Sequence, residues 1–262
     1  MSRASGRLTV LHLSDVHATA GGLLYDAVDG IERLRRVETY IRDAAITPEA
    51  IVVTGDLAQR GHRGAYPALR DAFARLADVA GVPVLTALGN HDDPVAARVL
   101  RGHGGGHHRV ELVDDLRFVL LDSSPGELGD GQIAWLRRVL SVPHGVGTVV
   151  ALHHAPLGSP MPALAEAGLR DAAAFLDAVE GTDVRAVLAG HFHHPLSATL
   201  RGIPISVGPS LAYHQVMDAG PDRVSGHDLA MFSLVHLLPD GLIVTNVGLD
   251  SPAPIFSSLL TR

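Results

Sequence analysis

VRAVLAGHFHHP, Val184–Pro195, joins an apolar run to three histidines within four positions. A short Val, Leu and Ala run closed by Gly190 reads as a strand, and the imidazoles that follow it read as side chains gathered at the strand tip. The same arrangement recurs along the chain. RLTVLHLS (7–14), AIVVTG (50–55), PVLTALG (83–89), RFVLLDS (117–123) and GTVVALH (147–153) are further strand candidates. Between several of them lie stretches with helical spacing of apolar residues, such as IERLRRVETYIRDAA (31–45) and AYPALRDAFARLADVAG (65–81), the second stopped by Gly81 and Pro83. Strand-helix-strand order predicts parallel pairing in the first half.

After residue 195 the pattern changes to LSATLRGIPISVG, DLAMFSLVHLL and GLIVTNVGL, with turns at Arg201-Gly202 and Pro239-Asp240-Gly241, which predicts an antiparallel half. Both halves fit one α/β domain over residues 1–262, built of two sheets packed face to face with helices outside and a C-terminal tail from 250 to 262. No repeat of fixed period interrupts it.

Composition narrows the partners. Lys+Arg 21 against Asp+Glu 28 gives a formal charge of -7, so no chain-wide basic field exists to hold a nucleic acid polymer or an anionic membrane. The absence of cysteine removes disulfides, thiolate zinc sites and cysteine nucleophiles together. The N-terminal apolar run is too short for a signal peptide core and no segment approaches the roughly 20 apolar residues of a membrane span, so a cytoplasmic location is expected.

The polar residues concentrate at strand ends. SDVH carries Asp15 and His17, TGDL carries Asp56, LGNHDD carries Asn90, His91, Asp92 and Asp93, LHHAP carries His153 and His154, and AGHFHH carries His191 and His193. An i, i+2 pair in an extended chain leaves from one face, which is the geometry expected of Asp15 with His17 and of His191 with His193. In open α/β sheets ligands collect outside the carboxyl ends of the strands, so the five tips converge on one crevice. Taken singly, a strand-end Asp is a turn former and a buried His a hydrogen-bonded core residue; five such tips together are not five accidents. Seven oxygen and nitrogen donors without sulfur, Asp15, His17, Asp56, Asn90, His153, His191 and His193, suit Mn, Fe, Zn or Co and are too many for one tetrahedral ion. They match two ions sharing one carboxylate.

In order, D-x-H, G-D, G-N-H-D, a strand-end H and G-H-x-H form a five-part pattern that resembles the calcineurin-like metallophosphoesterases. Here it reads Asp15-Val16-His17, Gly55-Asp56, Gly89-Asn90-His91-Asp92, His153 and Gly190-His191-Phe192-His193. The text around the last two motifs is similar to bacterial class III cyclic nucleotide phosphodiesterases of the mycobacterial type. The resemblance implies a four-layer αββα metallophosphoesterase fold of two mixed sheets. It also implies one metal held by Asp15, His17, Asp56 and His193 and another by Asp56, Asn90, His153 and His191, with Asp56 bridging. Two divalent ions about 3.5–4 Å apart would then activate a bridging hydroxide for in-line attack on a phosphodiester.

The substrate so implied is 3′,5′-cyclic AMP, opened to 5′-AMP. 2′,3′-Cyclic nucleotides, glycerophosphodiesters and phosphomonoesters are the alternatives, with loops 93–110, 155–170 and 208–228 as the discriminating segments. With Asn90 and Asp56, His91 completes the catalytic set, either binding a phosphoryl oxygen or protonating the leaving alkoxide, a step worth about 10²–10⁴-fold. Many relatives carry an acidic residue three positions after the G-D aspartate; this chain has Gln59, which can hydrogen-bond an imidazole but cannot stabilise imidazolium by charge. Relatives also suggest a homodimer.

Other histidines receive plainer readings. His154 packs beside the site, His194 lies on the opposite face, and His62 lies at a helix start or the substrate mouth. His12 and His236 are packing or surface residues. RGHGGGHHR, Arg101–Arg109, with His103, His107 and His108, reads as a flexible surface loop. Ile255, Phe256, Leu259 and Leu260 of the tail are expected to cover the chain's own core or a dimer face, and a fold-retaining binding protein is the remaining non-enzymatic reading.

Overall fold

The computed structural model describes residues 8–250 and 253–258. Its strands are β1 (Leu8–Leu13), β2 (Ala50–Thr54), β3 (Val84–Ala87), β4 (Arg109–Val113), β5 (Leu116–Leu120), β6 (Thr148–Ala151), β7 (Val184–Ala189), β8 (Leu196–Leu200), β9 (Ile203–Val207), β10 (His214–Gln215), β11 (Gly226–His227), β12 (Met231–Leu238) and β13 (Gly241–Gly248). The helices are α1 (Gly30–Asp43), α2 (Tyr66–Ala80), α3 (Gly129–Leu140) and α4 (Ala172–Val179). Asp29 caps α1 by accepting from the Ile31 and Glu32 amides, and Gly81, left-handed at φ 69, ends α2 where the glycine predicts.

Two large mixed sheets result. One runs β13-β12-β1-β2-β3 and the other β4-β5-β6-β7-β9-β8, while β10 and β11 form a small ribbon. Alternation along each central strand explains the layering. Val10 and Val52 point into a core shared with Phe118, Leu120, Val149 and Leu188 of the opposite sheet. Their neighbours Leu11, Ile51 and Val53 pack outward on Leu34, Val37 and Leu69 of α1 and α2. On the far side Val150 and Val187 meet Ile133 and Leu136 of α3 and Phe175 of α4. The order is helix, sheet, sheet, helix. Each fully buried Val, Leu or Phe in these layers contributes about 1.5–3 kcal/mol of transfer free energy.

Three features differ from the sequence reading. The second half is not antiparallel throughout, because β9 skips past β8 and lies parallel to β7, with Leu188 opposite Ser206. Burial explains the swap: Ile203, Ile205 and Val207 are buried, whereas Ser197 and Thr199 of β8 face solvent and suit an edge. The segment assigned to loop 93–110 ends in β4, which pairs antiparallel with β5. Arg109 to Leu112 alternate polar with apolar residues, and Asp114-Asp115 follow Val113 as a turn, a hairpin signal.

The tail is the third. Ile255 and Phe256 are exposed rather than covering the core, because no described layer extends over them; Leu259 and Leu260 lie outside the described residues. Among the described residues no helix is long and apolar enough to cross a membrane.

Candidate metal centre

The strand tips meet at the carboxyl ends of β1, β2, β3, β6 and β7. They do so with unusual backbone. Asp15, His17, Asp56, His191 and His193 all have positive φ, between 47° and 76°, and make up five of the ten described non-glycine residues in that region. Left-handed backbone at non-glycine residues costs about 1–3 kcal/mol each and persists only where the surroundings over-determine it. Here the tips are laced together: Asp15 N–H donates to Gly55 O (3.1 Å), His17 N–H to Asp56 O (2.9 Å), Gly190 N–H to His153 O (2.9 Å) and Gln215 N–H to His193 O (3.0 Å). The i, i+2 pairs therefore do not share a face by strand alternation, as the extended-chain reading expects; β1 and β7 end first, and a left-handed turn aims each side chain.

The seven expected donors come together. Asp15, His17, Asp56 and His193 form one buried group. Asp56 Oδ2 lies 3.5 Å from both His17 Nε2 and His153 Nε2, which places the carboxylate between two sets of donors. His153 Nε2 in turn stands 3.1 Å from both Asn90 Oδ1 and His191 Nδ1.

The proton positions follow from the outer partners. Nδ1 of His153 faces Thr54 O at 2.7 Å and Nδ1 of His193 faces Tyr213 O at 3.1 Å. A carbonyl only accepts, so both rings carry hydrogen on Nδ1 and, when neutral, present a lone pair at Nε2. His17 Nδ1 meets Gln59 Oε1 at 2.8 Å in the same sense. His17 Nε2 and His193 Nε2 are then two lone pairs 3.1 Å apart, with Asp15 Oδ1, a buried oxygen without a hydrogen-bond partner, 3.3 Å from His193 Nε2. Such an arrangement calls for a cation between them.

Electrostatics agree. Burial alone would raise the carboxyl of Asp15, yet His193 and His153 hold it below the usual carboxylate range; burial opposes and His153 and His17 lower Asp56 in the same way. Burial pushes His17 and His191 down to about 4, which keeps both neutral donors at pH 7. His153 is the exception: burial pulls it down, but Asp56 outweighs that and lifts it to about 9. The donor set fits divalent metal ions.

Residues 8–195 match the calcineurin-like phosphoesterase family profile. The chain belongs to this family. It is 40% identical, over 92% of its length and 84% of the relative's, to a probable cyclic nucleotide phosphodiesterase of Rhodococcus erythropolis. It is 37% identical to a cAMP/cGMP dual specificity phosphodiesterase of Mycobacterium tuberculosis, over 89% of this chain and 77% of that one. A dimetal phosphatase from Danio rerio shares the fold, with a TM-score of 0.64 at 16% identity, covering 93% of this chain and 96% of that one.

Within this calcineurin-like phosphoesterase, His91 stands half-buried beside the cage, its ring edge-on to His17 at 4.9 Å and its backbone amide donating to Asp56 Oδ1 at 2.8 Å. The Gln59 departure acquires a second meaning. Its Oε1 accepts from His91 Nδ1 (3.0 Å) as well as from His17 Nδ1, so one neutral oxygen orients a cage imidazole and the neighbouring His91 together. Burial also pushes His91 below the ordinary imidazole value.

Asp92 is a residue whose role the motif alone does not reveal. It accepts from the amides of Leu57, Ala58 and Gly89 and from the Tyr66 hydroxyl, locking the tip of β2 to the tip of β3.

The remaining histidines sort by contact. His154 comes within reach of His153 and His191, with its Nδ1 3.3 Å from Ser123 Oγ. His194 turns away to Ser159 Oγ (2.8 Å), and His62 accepts from the Ala20 amide (3.1 Å). His12 is buried against Thr54 Oγ1 and His236 pairs with Thr9 Oγ1. The Arg101–Arg109 tract is not simply a surface loop: His103 is fully buried, bonded to Thr86 Oγ1 of β3 at 2.8 Å and to His107 Nδ1 at 3.0 Å, because a buried strand hydroxyl needs a partner.

Proposed function

We propose that this calcineurin-like phosphoesterase uses two divalent metal ions to hydrolyse 3′,5′-cyclic AMP to 5′-AMP. The observation that carries the reading is the convergence of unpaired imidazole lone pairs and two buried carboxylates on one cage, shared at Asp56. Asp15, His17, Asp56 and His193 would hold one ion, and Asp56, Asn90, His153 and His191 the other. Bound there, the ions supply Lewis-acid polarisation of the phosphoryl oxygens and lower the pKa of a coordinated water. The substrate class rests on the cyclic nucleotide phosphodiesterases that the chain resembles over most of its length.

The chain's own groups do the positioning. Gln59 orients the His17 and His91 rings, Asp92 locks the β2 tip to the β3 tip, and His91 would face the reacting phosphate. With Nδ1–H committed to Gln59, His91 must bind a proton at Nε2 before it can donate. The anionic substrate provides the countercharge that Gln59 lacks, and His91 then gives that proton to the departing 3′ oxygen as the P–O3′ bond breaks.

A panel of 3′,5′-cyclic AMP, 2′,3′-cyclic AMP, glycerophosphodiesters, bis(p-nitrophenyl) phosphate and p-nitrophenyl phosphate, assayed with Mn²⁺, tests the reading. The highest kcat/KM is expected on 3′,5′-cyclic AMP. Turnover of the monoester without turnover of any diester would overturn the diesterase assignment.

A further inference from the structure

A cavity of about 510 Å³ adjoins the cage through a shared wall. That wall is Tyr213, whose ring lies 4.1 Å from the ring of His193 and 6.1 Å from that of His17, while its far side lines the cavity. Tyr25 stands against it on the same wall, edge-on to Tyr213 at 5.8 Å, and also lines the cavity.

Tyr25 is 70% exposed and sits at φ 53°, beside Asp26 at 56°. A bulky aromatic in that region is a genuine outlier, and an exposed one gains little burial to offset the strain. The segment is nonetheless fixed: Leu24 and Val28 exchange backbone bonds of 2.9 and 3.0 Å and pack on Ala212, next to Tyr213. The floor adds an unsatisfied group. Gln215 lines the cavity with its side chain more than nine-tenths buried, and its Oε1 has no hydrogen-bond partner, while its N–H donates to His193 O. An exposed aromatic face with a second ring at its edge and a buried amide oxygen that lacks a donor, one ring away from the cage, match a purine with an N–H edge.

We propose that this cavity is the nucleobase site: the purine of the nucleotide stacks on the exposed ring of Tyr25 with Tyr213 at its edge, and Gln215 turns toward the cavity to accept its amino hydrogen. The proposal rests on the cyclic nucleotide reading above. Base stacking on an aromatic ring is worth on the order of ten-fold in binding, and Tyr25 is exposed enough to truncate without loss of the fold.

The test compares ligands with and without a base on the metal-loaded enzyme. Tyr25→Ala should raise KM for cyclic AMP and Ki for 5′-AMP about ten-fold, with kcat within about two-fold and Ki for ribose 5-phosphate unmoved, whereas Tyr25→Phe should keep wild-type values. Gln215→Leu should erase the preference for 5′-AMP over purine riboside 5′-monophosphate, which lacks the amino group. Equal shifts for 5′-AMP and ribose 5-phosphate, or no shift for either, overturn the proposal. If the wild type leaves cyclic AMP intact but binds 5′-AMP in a Tyr25-dependent way, the substrate reading fails and the base site stands. If 5′-AMP inhibits no better than ribose 5-phosphate, both fall.

Discussion

Asp56 is the residue at which the two donor groups meet, with Oδ2 3.5 Å from an imidazole of each. Asp56→Ala is expected to empty both positions and lower kcat/KM by about a thousand-fold or more, since metal activation is worth several kcal/mol; metal analysis alongside the kinetics distinguishes this from partial loss at one position. Gln59 sets a second, opposite test. A carboxylate there would favour imidazolium at His91, so Gln59→Glu should raise the His91 pKa from its burial-depressed value. Histidine NMR reads that change directly, and the high-pH limb of the kcat/KM profile should move to higher pH; an unmoved limb would remove His91 as the proton donor. At this scale the donors were legible because their residue types and order along the chain are so restrictive. Their aim was not: left-handed φ at Asp15, His17, His191 and His193 depends on hydrogen bonds between tips distant in sequence.

At the scale of elements, the cage depends on room at the strand tips. A Cβ on Gly89 would collide with the carboxylate and amide of Asp56, and one on Gly190 with Ser14 Oγ and, at 2.9 Å, with Asp15 Oδ2. Gly89→Ala is therefore expected to displace Asp56 and reduce metal loading well below stoichiometric while the far-UV spectrum stays native. Full loading in that variant would contradict the role assigned to the glycine. The central strands and α1 and α2 were readable from apolar period and stop signals. β4 and the β8–β9 exchange were not read, because register between strands is decided by which residues find burial after the sheet closes. His103 was missed for a similar reason: a glycine-rich tract says nothing of the buried Thr86 hydroxyl that draws it in.

For the whole molecule, three apolar layers hold the sheets and helices together and leave the carboxyl ends of the strands free for the cage. Buried neutral histidines make that architecture acid-sensitive. Burial lowers His12 to about 4 and His103 to about 3, against about 6.5 in an unfolded chain. The unfolded chain takes up protons that the folded one refuses, so their contribution to stability is complete above about pH 6.5 and falls as pH drops toward those folded values. Urea midpoints should decrease between pH 7 and 5, and His103→Gln should flatten the decrease; an equally steep decrease in the variant would rule out His103 as a source. Deletion of residues 251–262 followed by light scattering tests the exposed Ile255 and Phe256 as a dimer face: a smaller species is the expected outcome, and an unchanged size would remove the tail from any interface.

The most direct measurement joins metal content to turnover. Purified protein should carry close to two equivalents of divalent metal per chain, lose cyclic AMP hydrolysis on exhaustive chelation and regain it when Mn²⁺ is restored; undiminished hydrolysis by metal-free protein would contradict the account.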